Sequence, residues 1–210
     1  AKQMTTLMSE ALQATGNFEI HGAGMYDSVV VSSNLAFART LHVAAGAEVR
    51  LYDLTLANGV DDEGGIVRND GVLLAERVRV ASGKAQRGAG LFNAGTASFV
   101  DSFFDGHIDT PPAGLGGCIH NRGTLTLDRV TLKRGQARLG CGGGLYNSAP
   151  GVVEATNLTV VRNRSRRARA GGICNDGGTV RCTNCTIARN QANNTSGGIL
   201  NLAGTIELRN

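Results

Sequence analysis

The chain has 210 residues, a formal net charge of +4 and a hydrophobic share of 41%, which is enough for one domain with a buried core. Thirty glycines against three prolines, with no tryptophan and 4% aromatics, depart from the usual globular profile, yet glycine follows neither a collagen period nor a low-complexity run. Glycine at about twice its usual share points to turns recurring at fixed intervals. No apolar stretch is long enough for a transmembrane helix.

In "MTTLMSEALQATG", Met4, Leu7, Met8 and Leu12 share one helical face, and Gly16 supplies a stop. Residues 1–15 are therefore expected to form an amphipathic helix that caps the first coil of residues 16–210. A signal-peptide remnant is the competing reading; Glu10 and the lack of a long apolar run weigh against it.

A degenerate repeat copy then opens at "GAEVRLYDLTL", Gly46 to Leu56. From there an Asn recurs behind a glycine-rich stretch, at Asn69, Asn93, Asn121, Asn147, Asn175 and Asn201, with spacings of 24, 28, 26, 28 and 26. Each Asn is followed by Gly and an alternating segment such as "GTLTLDRVTL". There Leu125 and Leu127 point one way and Thr124 and Thr126 the other, Asp128 and Arg129 make a corner, and Val130 and Leu132 resume the inward face. The same four slots hold Val49, Leu51, Leu54 and Leu56, then Leu73, Ala75, Val78 and Val80, and later Val153, Ala155, Leu158 and Val160. A coil of this length cannot close a core alone, so each stacks on the next as a parallel β-helix of about seven coils. The repeated Asn is expected to bond the bend's backbone and stack amide on amide, and the following Gly to give the corner a positive φ.

Midway along, "DSFFDGHIDT" gathers Asp101, Asp105, His107 and Asp109, the candidates for glycoside hydrolysis or for a Ca²⁺ site in a lyase. Hydrolysis needs two carboxyls facing each other across a sugar. Arg129 falls in the column of Asp101, so a structural Asp–Arg pair explains that acid equally well. In the variable segments that follow, Lys133, Arg134 and Arg138 should lie beside Arg162, Arg164, Arg166, Arg167 and Arg169 of the next coil, with Glu154 the sole acid between Arg129 and Arg169. Such a ridge suits sulfated or carboxylated polysaccharide, lipopolysaccharide phosphate or nucleic acid, the last being the weaker partner because no aromatics interleave. The plainer reading is a solvated loop.

Three cysteines crowd "GGICNDGGTVRCTNC". Cys182 and Cys185 take the slots of Leu127 and Val130, whereas Cys174 falls outward with Tyr146, His120 and Phe92. Buried small side chains are the first reading, a Cys182–Cys185 disulfide the second and a metal site the third, since no second ligand pair exists. The five cysteines leave at least one thiol unpaired. No Gly-x-Gly-x-x-Gly or Walker pattern is present and no cofactor is expected. The Asn157, Asn163 and Asn184 sequons arise from the repeat itself. The end, "GTIELRN", stops midway through the pattern, which raises the expectation of a longer parent solenoid or of end-to-end self-association.

The run "ARTLHVAAGAEVRLYDLTLANG" and the iterated Gly-Gly-Ile-x-Asn-x-Gly-Thr unit, over about residues 16 to 210, resemble bacterial β-helix proteins with polymorphic-outer-membrane-protein-like repeats. The resemblance implies an all-β, right-handed parallel β-helix found on cell surfaces or secreted. It also implies structural, adhesive or passenger roles, while polysaccharide lyases and hydrolases share the wider fold class. The resulting expectation is a non-catalytic extracellular module whose arginine ridge meets an anionic polysaccharide or cell-envelope component. Catalysis on acidic glycans and a filament-forming subunit stand as alternatives.

Overall fold

The computed structural model describes residues 3–7, 11–32, 38–167, 169–193 and 195–210, with backbone alone at 3–7 and 32. Alternating apolar residues separated by one-residue corners give short strands, and every strand pairs in parallel with its counterpart in the adjoining coil. The result is an all-β parallel solenoid of about seven turns.

Four faces enclose the core. The asparagine face comprises Leu12–Ala14, Leu41–Val43, Val67–Asn69, Leu91–Asn93, Ile119–Asn121 and Leu145–Ser148. The alternating face follows it around the bend, from Phe18–His21 and Glu48–Tyr52 to Val152–Thr156. The long strands Ile173–Thr183 and Ile199–Arg209 run through that bend and join the two faces into one sheet. A third face stacks Thr55–Ala57, Arg79–Ala81, Phe103–Asp105, Thr131–Lys133, Thr159–Val161 and Thr186–Ala188. The fourth lies inside the segments read from the sequence as loops: Lys84–Ala85, Ile108–Asp109, Gln136–Ala137, Arg164–Ser165 and Gln191–Ala192.

The inward slots are occupied as the alternation requires. Val49, Leu51, Leu73, Val80, Leu125, Leu127, Val153 and Val160 are each at most 1% exposed and belong to one continuous core. The Asn register also holds, from Asn69 opposite Asn93 to Asn175 opposite Asn201. Each amide donates to the next, with Nδ2···Oδ1 distances of 2.7 to 2.9 Å, and each donor Asn also bonds a bend carbonyl. This ladder satisfies polar backbone that the bend turns into the interior.

Three expectations are corrected. The N-terminal helix does not form: Gln3–Leu7 is a strand in register with Ser28–Ser32, and Leu12–Ala14 pairs with Leu41–Val43. Met8, Ser9 and Glu10 lie outside the described residues. An isolated helix of this length is marginal, whereas the neighbouring coil offers a row of backbone partners and Thr5–Thr6 is β-branched. The glycines after the ladder mostly serve close approach: Gly95 and Gly123 lack a positive φ, and a Cβ on either would strike the carbonyl oxygen of the glycine one coil below. The left-handed corners fall elsewhere, at Asp53, Arg77, Asp101 and Arg129, and at Arg134, Arg162 and Arg189. The cysteines are oxidised: Cys182 and Cys185 sit in core slots and form a disulfide across the corner, and Cys174 bonds Cys141 of the preceding coil's return loop. Cys118 is the buried free thiol, and burial pushes its pKa up.

Candidate functional site

Arginine is abundant throughout the solenoid, but its surroundings change along the axis. Up to Arg129, every described arginine except Arg122 lies within ion-pair distance of a carboxylate. Arg77 grips Asp53 at 2.6 and 2.8 Å, and Arg129 grips Asp101 at 2.7 and 3.0 Å. Beyond Arg134 acids are few: Glu154 and Glu207 pair with Arg181, and Glu207 also with Arg209. Arg138, Arg162, Arg164, Arg166, Arg167, Arg169 and Arg189 are exposed and have no carboxylate partner among the described residues.

These arginines are not on a loose loop. Backbone N–H groups of Arg164, Arg166, Arg167 and Arg169 donate to carbonyls of Gly135, Ala137, Arg138 and Gly140 in the preceding coil, at 2.9 to 3.1 Å. Between them, Asn163 and Ser165 are buried inward. Asn163 bonds Gly135 N–H, Leu132 O and Asn190, making a second, shorter amide ladder. With Ser165 fixed inward, Arg164 and Arg166 on either side of it face outward roughly 7 Å apart, by the period-two geometry of an extended chain. Along the axis, Arg134, Arg162 and Arg189 share one left-handed corner at φ 56°, 57° and 56°. Arg164 stands between Gln136 and Gln191. A shallow groove of about 410 Å³ runs between Lys133, Arg134, Arg162 and Arg189.

The eight expected cations thus divide. Lys133 and Arg134 are held by Asp105, whose oxygens lie 3.5 Å from Nζ and 2.6 to 2.7 Å from the guanidinium, with Arg79 at 3.6 Å. Burial pushes the Asp105 carboxyl upward, but the Arg134 hydrogen bonds and the three cations outweigh it, so its pKa lies below 3.8. Arg138, Arg162, Arg164, Arg166, Arg167 and Arg169 remain open, and the structure adds Arg189. Arg189 was legible as the next member of the Arg134–Arg162 column, but it lies beyond the dense arginine run.

The four candidate catalytic residues go to different places. Asp101 is on the corner with Arg129, and Asp105 is on the third face beneath Arg134. His107 is fully buried and takes an asparagine's place in the inner corner column: Nδ1 accepts Gly83 N–H at 3.1 Å and Nε2–H donates to Val80 O at 3.0 Å. Burial lowers its pKa to about 4, against the Val80 hydrogen bond, and keeps it neutral. Asp109 points inward, fully buried, with both oxygens on Arg138 N–H at 2.7 and 2.8 Å. Burial raises its pKa to about 7. None of the four grooves found among the described residues is lined by two of these carboxylates, and among the same residues no cluster of three His, Cys, Asp or Glu is placed for a metal ion.

A larger groove, about 550 Å³, lies where the return loops cover the asparagine face, next along the chain from the arginine band. The outward column Phe92, His120, Tyr146 and Cys174 is buried under these loops, and the ring contacts run Phe92–His120–Tyr146 at 5.1 and 4.9 Å. The Cys141–Cys174 disulfide then ties the loop to the face. Arg167, Arg169, Asp176, Leu139 and Leu202 line the groove, and Tyr146 Oη donates to Asp176 at 2.7 Å. Sequence reasoning missed it because its residues come from coils whose loops differ in length. Comparison with known proteins returns no match: no family model, no curated protein and no solved structure matches the chain.

Proposed function

We propose that this chain is a non-catalytic structural or adhesive module of the bacterial cell surface or extracellular space, holding anionic polysaccharide on its arginine band. On this reading it is a right-handed β-helix of the polymorphic-outer-membrane-protein-like kind, supported by the segments GGICNDGGT from Gly171 and GGILNLAGT from Gly197, each one residue longer than the Gly-Gly-Ile-x-Asn-x-Gly-Thr unit. The observation that carries the proposal is the fixed backbone of Arg164, Arg166, Arg167 and Arg169 together with the absence of described carboxylate partners. Guanidinium forks carried on a fixed backbone suit a polymer bearing repeated anionic groups, because each fork can bind a carboxylate or sulfate bidentately and the backbone needs no ordering on binding.

A loose solvated loop would leave its backbone free, and here it is pinned to the preceding coil. Nucleic acid fits less well, since no exposed aromatic stands among these arginines for base stacking. The test is chromatography on immobilised heparin. Arg164, Arg166 and Arg167 changed together to Ser should elute at clearly lower salt than the parent, with a shallower dependence on ionic strength and an unchanged melting temperature. Co-elution of variant and parent would refute the proposal.

A further inference from the structure

The groove over the Cys141–Cys174 disulfide combines features found together nowhere else on the described surface. Leu139 and Leu202, 46% and 41% exposed, are two of only four exposed large hydrophobics, and both line it. Arg167 and Arg169 line the same groove as Asp176, yet neither is within ion-pair distance of it. Asp176 is instead oriented by the Tyr146 hydroxyl, and Tyr146 is itself buried in the cluster with Cys141, Ala170 and Cys174. Thr195 adds a hydroxyl whose oxygen accepts Ala170 N–H at 3.4 Å. The floor is therefore preformed, and its volume falls within the ~300–1,000 Å³ usual for small-molecule sites.

Each wall restricts the ligand. Two guanidiniums require an anionic group. Asp176 favours a ligand with a hydrogen-bond donor, because Tyr146 satisfies only one of its oxygens and desolvating the other unpaired opposes binding, so a simple fatty acid is disfavoured. The leucines favour a ligand with an apolar face, which an inorganic sulfate or phosphate lacks. A pyranose carrying a carboxylate meets all three demands: the acid for Arg167 and Arg169, ring hydroxyls for Asp176 and Thr195, and the C–H face for Leu139 and Leu202. We propose that this groove is a subsite for a uronic-acid residue, selecting carboxylated sugars from the polyanions that the adjoining arginine band attracts by charge. The proposal rests on the reading of that band as an anionic-glycan surface and gives it a substrate class.

The test follows the leucine methyl NMR signals of the full chain during titration with D-glucuronate, D-glucose and inorganic sulfate. Leu139 and Leu202 should shift saturably with glucuronate and not with the other two. Asp176→Asn, or Leu202→Ser at an exposed position that folding tolerates, should weaken the response about tenfold or more. Equal shifts with glucose, no shifts with glucuronate, or full response in both variants would overturn the subsite. Retention on dextran sulfate, which carries no carboxylate, reports the band separately. Retention without glucuronate shifts leaves the band and removes the subsite, and shifts without retention do the reverse.

Discussion

Two corners of the solenoid share a backbone conformation and differ in charge. Between the alternating and third faces, Asp53, Arg77, Asp101 and Arg129 all have φ between 49° and 56°, and acid and base alternate from coil to coil. Between the third and fourth faces, Arg134, Arg162 and Arg189 follow one another at φ 56° to 57°, and only the first meets an acid. Left-handed strain is common to both corners, so it does not mark function here. The difference lies in the sequence of charges: the first column closes on itself as a structural ladder, and the second leaves its binding capacity facing solvent.

The junction of these regions is the segment holding Asp105 and Asp109, and the largest expected effect is at Asp109, the acid without a cationic side-chain partner. Its pKa is raised to about 7, so between about pH 4 and pH 7 the folded chain binds the extra proton and stability falls as pH rises. Asp109→Asn keeps an acceptor for Arg138 N–H and removes that fall. Relative to the parent it should gain on the order of 4 kcal/mol across this window, from about three pKa units at 1.36 kcal/mol each. Urea unfolding of both proteins at several pH values measures the difference, and parallel curves would show that Asp109 is hydrated or relaxed.

Asp105 behaves in the opposite sense. Its folded pKa lies below 3.8, so its stabilisation is complete above that value and is lost as acid protonates the folded carboxylate. Asp105→Ala leaves Arg79, Lys133 and Arg134 around a site whose carboxylate is 5% exposed. The expected loss is about 2 to 3 kcal/mol, as for hydrogen bonds to a buried charged group whose main partner, Arg134, is itself largely exposed. The same change should strengthen retention on heparin, because it frees Arg134 in the column and Lys133 beside it. A variant that is less stable but no better retained would break the contrast drawn between the corners.

Smaller still is the effect within the amide ladder, which spans both regions. Asn147 accepts from Asn121 and donates to Asn175 and Gly151 O, at 2.8 to 3.0 Å, and is fully buried. Asn201 accepts from Asn175, donates to Gly204 O and is exposed. Asn147→Ala should cost about 2 kcal/mol and Asn201→Ala well under half of that. Equal losses in melting temperature would mean that water replaces the ladder as readily at the buried Asn147 as at the exposed Asn201.

Most of the fold was legible because the coil repeats its demands: Leu125 and Leu127, or Val153 and Ala155, can face only one way if the strand period is two. The Asn register was legible for the same reason, since one unpaired bend carbonyl recurs per coil. What escaped notice depended on neighbours one coil away. Met4 to Leu12 has helical spacing, yet part of it pairs with Ser28–Ser32. Lys133 and Arg134 look free in sequence, but Asp105 stands opposite Lys133 in register. The role of His107 becomes visible only when its column is seen to continue through Gly135 to Asn163 and Asn190. Cys141 and Cys174, 33 residues apart, meet because a loop folds back over an outward column, which alternation alone does not foretell.

The central claim is that an uninterrupted arginine column binds anions and an alternating one does not. Arg162→Asp tests it most directly, because Asp accepts the left-handed corner and would lie between Arg134 and Arg189 as Asp101 lies between Arg77 and Arg129. The measurement is the salt concentration of elution from heparin, taken alongside the melting temperature. The account predicts elution at markedly lower salt with the melting temperature unchanged or slightly raised. Elution at the parent's salt concentration, with the fold intact, would contradict it.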